Sequence, residues 1–407
     1  MSISSIIRCN LLLNLTLKTS KGKVHVMPSV FAFLLICAFS IFGGFAYAGE
    51  PDYDIVILNA RVIDPETKLD ETGMNIAVRG VSIVAITHES IRGKIEIDAK
   101  GMVASPGFID VLSYDPNQYG VWYKVADGVT TNLAMHGGAV YPKEWYASFE
   151  RQKVPVNFGA GFFYNSARLG LEIGPYSGAD EKQMAILKKT AEKALKNGAL
   201  GIGMSLEYAP GTTKDEVRLM MEVARRYNVP VFFHVRYSTM EPPGTNIEAL
   251  DEVIVLARET GAAIHIDHIN STGGTFSMGT SLEMLKKAAD EGVSVTACVY
   301  PYDFWATYLN SARFDEGWQK RFRITFNDLQ LGGSSERLTV KSFEKYKKLG
   351  KLAVAYAIPE DDVIAALRSP FVMIGSDGII EPGNNNHPRS SGAFSRLIAK
   401  YVREKKV

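Results

Sequence analysis

The chain has 407 residues, of which 46% are hydrophobic and 22% charged, with a formal net charge of +1. That is enough chain for one large domain and a small one. The near-zero charge gives no field for holding nucleic acid or an acidic membrane. Cys9 and Cys37 fall within the first 48 residues, which leaves Cys298 with no partner for an internal disulfide.

Lys21 and Lys23 precede an apolar run over residues 30–45, and Ala46-Tyr47-Ala48 follows before Gly49. A positive start, an apolar middle and a small-x-small site together read as a signal peptide over residues 1–48. The run is short for a membrane span, so cleavage is favoured over an uncut anchor. Bulky Ile36 before Cys37 argues against a lipoprotein cysteine. The mature chain is expected to be exported, periplasmic or secreted, without stable membrane association.

Residues 49–104 read as a small β-domain. Short strands are predicted at 53–60, 61–64, 74–78 and 81–86, each bounded by polar or glycine-containing turns. From about residue 103 the pattern changes to apolar runs at 103–114, 129–138, 156–164, 200–208, 229–236, 262–270, 294–302 and 371–378. Helical periodicity fills several of the gaps, at 180–197, 213–227, 246–260 and 281–291. Continuous apolar strands alternating with helices imply a parallel sheet covered by helices. Eight such units over roughly 300 residues fit an α/β fold of the (β/α)8 barrel type, over residues 105–407, better than an open sheet. No Gly-x-Gly-x-x-Gly follows the first strand, which weakens a dinucleotide-binding alternative.

Catalytic groups of such a barrel sit at the C-terminal ends of its strands. The predicted ends carry His136-Gly137-Gly138, Glu207-Tyr208, His234-Val235-Arg236, His265-Ile266-Asp267-His268, Tyr300-Pro301-Tyr302 and Ser376-Asp377-Gly378. A lone strand-end histidine is more often a hydrogen-bonded core residue than a ligand. Here His234 and His268 end adjacent strands, so their rings can share one ion. His136 is a candidate third ligand, and catalytic zinc uses about three protein ligands. Asp377, across the barrel, is placed to take a proton from the attacking water. His265, three residues before His268, is expected on the opposite face of its strand in a structural role. Glu207 and Tyr302 read as packing residues as readily as site residues.

In order and spacing, these segments are similar to the N-acyl-D-amino-acid deacylases, the D-aminoacylase branch of the amidohydrolase superfamily. The likeness runs from Tyr53 to about Glu404. It is carried by 54–64, Ala104-Ser-Pro-Gly-Phe-Ile-Asp-Val111, Asp127-Gly-Val-Thr-Thr131, Gly198 to Gly211, His234-Val-Arg236, Ile266-Asp-His268, Val299-Tyr-Pro-Tyr302, Ile374-Gly-Ser-Asp-Gly378, and His387-Pro-Arg389 with Gly392-Ala-Phe-Ser-Arg-Leu397. The resemblance implies hydrolysis of the amide of N-acyl-D-amino acids at a zinc site, other divalent metals being suited to the same ligands. It implies His234 and His268 as ligands and Asp377 as general base. Tyr208 and Arg389 become substrate-carboxylate contacts, and Arg236 orients the substrate.

The chain departs from the family pattern at several points. Leu112 and Tyr114 stand where the family has a histidine pair, so one metal ion rather than two is expected. The family's cysteine ligand at the end of strand 2 is replaced by His136-Gly137. The lysine two residues after the strand-6 histidine is Asn270. The sequence stops at Lys405-Lys406-Val407 without the closing strands of the small β-domain. That domain's second half is thus expected to be missing, with an exposed sheet edge and apolar surface. Two alternatives stay open: another amidohydrolase acting on a small or cyclic amide, and a non-catalytic ligand-binding barrel that has lost part of its metal site.

Overall fold

The computed structural model describes residues 52–382 and 386–407. The signal peptide expected over residues 1–48 lies outside the described residues. Two compact units form, residues 52–61 with 71–102 and residues 62–70 with 103–407.

In the first unit β1 (Tyr53–Asp64), β2 (Leu69–Arg79), β3 (Ser82–Thr87) and β4 (Gly93–Asp98) lie in the order β3-β2-β1-β4. β1 is continuous where two strands were expected. Asn59 inside it is left-handed (φ 58), and its N–H is satisfied by Asn75 Oδ1 at 3.0 Å, so the kink leaves that donor paired. β4 was not anticipated, because its Gly-Lys-Ile-Glu-Ile-Asp sequence is half charged. It runs parallel to β1 from Tyr53↔Gly93 to Leu58↔Asp98. Ile83, Val84 and Ile86 of β3 and Ile95 and Ile97 of β4 are exposed.

After the two-residue β5 (Val103–Ala104), the barrel strands are β6 (Phe108–Asp110), β7 (Val129–Ala134), β8 (Asn157–Ala160), β9 (Phe162–Phe163), β10 (Ile202–Ser205), β11 (Val231–His234), β12 (Ile264–Ile266) and β13 (Val295–Val299). A three-stranded insertion of β14 (Trp305–Tyr308), β15 (Leu329–Leu331) and β16 (Leu352–Ala355) precedes the last barrel strand, β17 (Val372–Ile374). Every predicted barrel run contains its strand. Parallel pairing runs β6-β7-β8 and β9-β10-β11-β12-β13-β17. Gly161 joins the two arcs, since β8 and β9 are one strand broken there. The eighth strand meets the first where Asp377 N–H donates to Leu112 O at 2.7 Å. A Cβ on Gly375 would lie 2.6 Å from that of Leu112, so this closure requires a glycine.

The helices expected at 180–197, 213–227 and 246–260 form as Glu181–Lys196, Lys214–Tyr227 and Asn246–Thr260. Asp180, Thr213 and Thr245 cap them, each in a capping box with the residue three on. The fourth starts earlier than predicted, at Met278. Alternation along the strands divides the apolar side chains. Val231, Phe233, Ile264, Ile266, Ala297 and Val299 join the core beneath the helices. Leu112, Met135, Phe232 and Cys298 form a separate cluster inside the barrel. The antiparallel insertion β14-β16-β15 lies in a stretch for which no elements were predicted. No helix among the described residues is long and apolar enough to cross a membrane.

Candidate metal centre

His234 is the last residue of β11. His136 and His268 each follow their strands, β7 and β12, by two residues, and Asp377 follows β17 by three. All four therefore gather at the C-terminal end of the barrel. Ligand atoms of His136, His234 and His268 lie within 4.8 Å of one another, and all three rings are buried. Ring centroids are 5.4 Å apart for His136–His234, 4.9 Å for His136–His268 and 4.8 Å for His234–His268. The expected trio is thus brought together.

Two of the four reach the site by leaving strand geometry. His268 has φ 25 and Asp377 φ 50, a conformation that side chains with a Cβ rarely adopt. His265 and Asp267 share the inward face of β12 by alternation, and His268 rejoins them only through this twist. His265 was expected on the outer face. It instead packs against Phe232 inside the barrel, centroids 4.6 Å apart, with Nδ1 2.8 Å from Thr296 Oγ1. The chain after His136 turns through Gly138 (φ 81), where a Cβ would lie 2.3 Å from Gly161 O.

Each ring has its own electrostatic setting. Burial pushes His234 down to about 4 and His268 well below its ordinary value. Both are neutral at pH 7, with lone pairs available to a metal. Glu207 Oε2 is 2.7 Å from His234 Nε2, which leaves His234 Nδ1 buried and without a partner, as is His268 Nδ1. Burial works to raise Glu207 but is outweighed by Arg313, His234 and Ser238, so the carboxylate is held ionised. For His136 burial opposes charge, yet Asp377 and Asp267 raise its pKa. A field that favours a proton there also favours a metal cation. Three buried imidazoles beside carboxylates, two of them with an unpartnered buried nitrogen, fit zinc.

Asp377 Oδ2 accepts from Arg389 Nη2 at 2.5 Å and lies 3.7 Å from His268 Nε2, while Oδ1 is buried and unpartnered. Burial works to raise its pKa and is outweighed by Arg389, His268 and His136, so the carboxyl sits far below the usual range. Arg389 packs over the Tyr300 ring at 3.9 Å, and its Nη1 has no partner. The Tyr208 ring lies tilted against His234, centroids 4.7 Å apart. A cavity of about 420 Å³ opens on these groups, lined also by Tyr114, Ser166, Trp305 and Arg313. This suits a small organic ligand.

Arg236 is not brought to this cavity. Its guanidinium is held by both oxygens of Glu252, at 2.7 and 2.8 Å, and by Pro210 O at 2.9 Å, so no donor pair faces the cluster. Asn270 donates to Tyr300 O at 3.1 Å and Tyr302 O at 3.3 Å, a structural tie and not a ligand contact. Leu112 lies in the barrel interior and Tyr114 stands edge-on to His136 at 5.5 Å. Neither offers a metal ligand.

Sequence reasoning missed Asp267, whose Oδ2 is 3.3 Å from His136 Nδ1, though its place one residue before His268 on the inward parity was a usable signal. Arg313 was also missed. It reaches Glu207 at 3.3 Å and Ser271 O at 2.6 Å from the unread insertion, over the Trp305 ring, and nothing in its neighbourhood marks it. Lys124, Asp110 and Ser376 form a third unforeseen group. Asp110 Oδ1 accepts from Ser376 N–H at 2.8 Å, and its Oδ2 accepts from Ser376 Oγ and Lys124 Nζ, both at 2.6 Å.

Burial pushes His265 down to about 3, whereas the unfolded ring titrates near 6.5. Between those values the unfolded state binds the extra proton. This contribution is complete above about pH 6.5 and is lost toward pH 3 at about 1.4 kcal/mol per unit. His265→Leu is expected to flatten the acid limb of a stability–pH curve by one proton. An unchanged slope would mean that the folded ring already carries its charge.

No family model matches the chain. It is 26% identical to an N-acyl-D-glutamate deacylase of Alcaligenes xylosoxydans xylosoxydans over 395 residues, covering 86% of this chain and 79% of that one. It is also 26% identical to a D-aminoacylase of the same organism over 401 residues, covering 86% and 80%. The crystal structure of an N-acyl-D-glutamate deacylase from Bordetella bronchiseptica, complexed with zinc and a phosphonate inhibitor, superposes with a TM-score of 0.74 at 22% identity, covering 87% and 82%. That likeness establishes the barrel fold.

Proposed function

Because the chain is similar over most of its length to an N-acyl-D-glutamate deacylase and a D-aminoacylase, we propose that it belongs to the D-aminoacylase family of amidohydrolases and hydrolyses the amide bond of N-acyl-D-amino acids at a site built on His136, His234 and His268. The observation that carries this reading is the convergence of three buried imidazoles and Asp377 at the strand ends, open to a cavity sized for such a substrate. The three rings would hold one zinc ion. When bound, the ion supplies Lewis acidity toward the acyl carbonyl and the attacking water.

The chain's own groups do the rest. Asp377, ionised and with Oδ1 uncommitted, accepts the proton of the attacking water and returns it to the departing amine. Arg389, with Nη1 free and its plane fixed on Tyr300, takes the substrate carboxylate. Tyr208 lines the same cavity beside it. The loss of ligands at Leu112 and Tyr114 supports a single ion. His136 stands in for the family's cysteine from one residue earlier, which the Gly137-Gly138 turn allows.

Metal analysis of the purified protein tests the reading. About one zinc per chain is expected, markedly reduced in His136→Ala, with release of free amino acid from N-acyl-D-amino acids by the loaded wild type. A wild-type chain that takes up no zinc on incubation would overturn it and favour a ligand-binding barrel.

A further inference from the structure

We infer that Asp267 is a positioning residue for the metal centre: its carboxylate engages Nδ1 of His136 and so fixes Nε2 as the atom that this ring presents to the ion. The inference rests on the proposed three-histidine site.

His136, like His268, lies outside the strand ladder, whereas His234 ends β11. The glycines that follow His136 past the end of β7 give no side-chain packing. Its ring neighbours are the two other histidines and the edge of Tyr114, none of which selects one ring nitrogen over the other. Asp267 does. Its Oδ2 is 3.3 Å from Nδ1, both side chains are buried, and Oδ1 has no partner of its own.

The carboxylate is held where it is needed. Asp267 N–H donates to Phe233 O at 2.9 Å, and its C=O accepts from Thr272 Oγ1 at 3.3 Å. Strand alternation turns its side chain inward, opposite Ile266, which faces the helices. Asp267 is not among the groups whose ligand atoms gather within 4.8 Å, so it acts through the ring and not on the ion. A carboxylate on the far nitrogen fixes the tautomer, orients the ring and strengthens it as a donor. Glu207 stands in the same relation to His234. A histidine recruited outside the strand ladder depends on such a partner more than one within it.

The test is zinc affinity of the full chain by chelator competition, for wild type, His136→Ala, Asp267→Ala, Asp267→Asn and both doubles with His136→Ala. Loss of Asp267 typically should weaken zinc by about 10–100-fold. Asp267→Asn should lose less, since its amide oxygen still accepts from Nδ1–H. In the His136→Ala background either Asp267 change should cost nothing further, because its effect runs through that ring. A merely structural role would give additive losses. Additive losses, or unchanged affinity in Asp267→Ala, overturn the inference while leaving the three-histidine site standing. Equal zinc binding by wild type and His136→Ala overturns both. If Asp267→Ala does not fold, the asparagine cycle carries the same comparison.

Discussion

Asp377→Asn is expected to lower kcat for an N-acyl-D-amino acid by about 10²–10⁴-fold, the usual worth of a positioned general base, with zinc content unchanged. The substitution keeps the shape of the side chain and an acceptor oxygen, and removes only its capacity to take a proton. Asp377 divides its work between its two oxygens, one bound by Arg389 and the other unpartnered. The basic groups around it hold it ionised against its burial, so near neutral pH it is in the form that accepts a proton. Its distance of 3.7 Å from His268 Nε2 places it beside the proposed metal ligands. Turnover assays with parallel metal analysis decide the matter. Loss of zinc along with activity would make Asp377 a ligand, and wild-type turnover would remove it from the chemistry.

The second large effect concerns stability. Lys124→Met is expected to cost about 3–5 kcal/mol, because it leaves Asp110 as an uncompensated buried charge. Asp110 is fully buried and Lys124 nearly so, with Nζ 2.6 Å from Oδ2. The pair is also joined to Ser376, the residue before Asp377. The double variant with Asp110→Asn should recover part of the loss, since neither half is then stranded. Urea unfolding of the wild type, single and double variants measures this. A loss below about 1 kcal/mol in Lys124→Met would mean that water reaches Asp110.

The barrel was legible because its signals are local. Each strand is a short apolar run, and helices such as Lys214–Tyr227 announce themselves with a Thr213–Glu216 capping box. The trio of histidines was legible for the same reason, each lying two residues before a predicted run's end. What escaped depends on three dimensions. β4 needed the knowledge that a charged hexapeptide would find β1 as its partner. Arg236 sits two residues past His234 at a strand end and invites a site role, but Glu252 from the following helix captures it. His265 was misplaced because two-residue alternation was carried through His268, where the backbone departs from a strand. Lys124 and Asp110 are 14 residues apart, and their third partner is 252 residues beyond Lys124, a separation that no periodicity spans.

The proposed ligand set contains no sulfur, and this bears on how the centre ages. A thiolate ligand can climb from sulfenic to sulfonic acid and take its metal site with it, whereas an imidazole offers no such ladder. Among the described residues the one cysteine is Cys298. It is enclosed in the barrel with Leu112, Met135 and Phe232, and burial drives its thiol well above the ordinary range, so it carries almost no thiolate. Peroxide or alkylating reagents therefore meet no thiolate among the proposed ligands, and the sulfur nearest them, in Met135 and Cys298, is enclosed in the barrel.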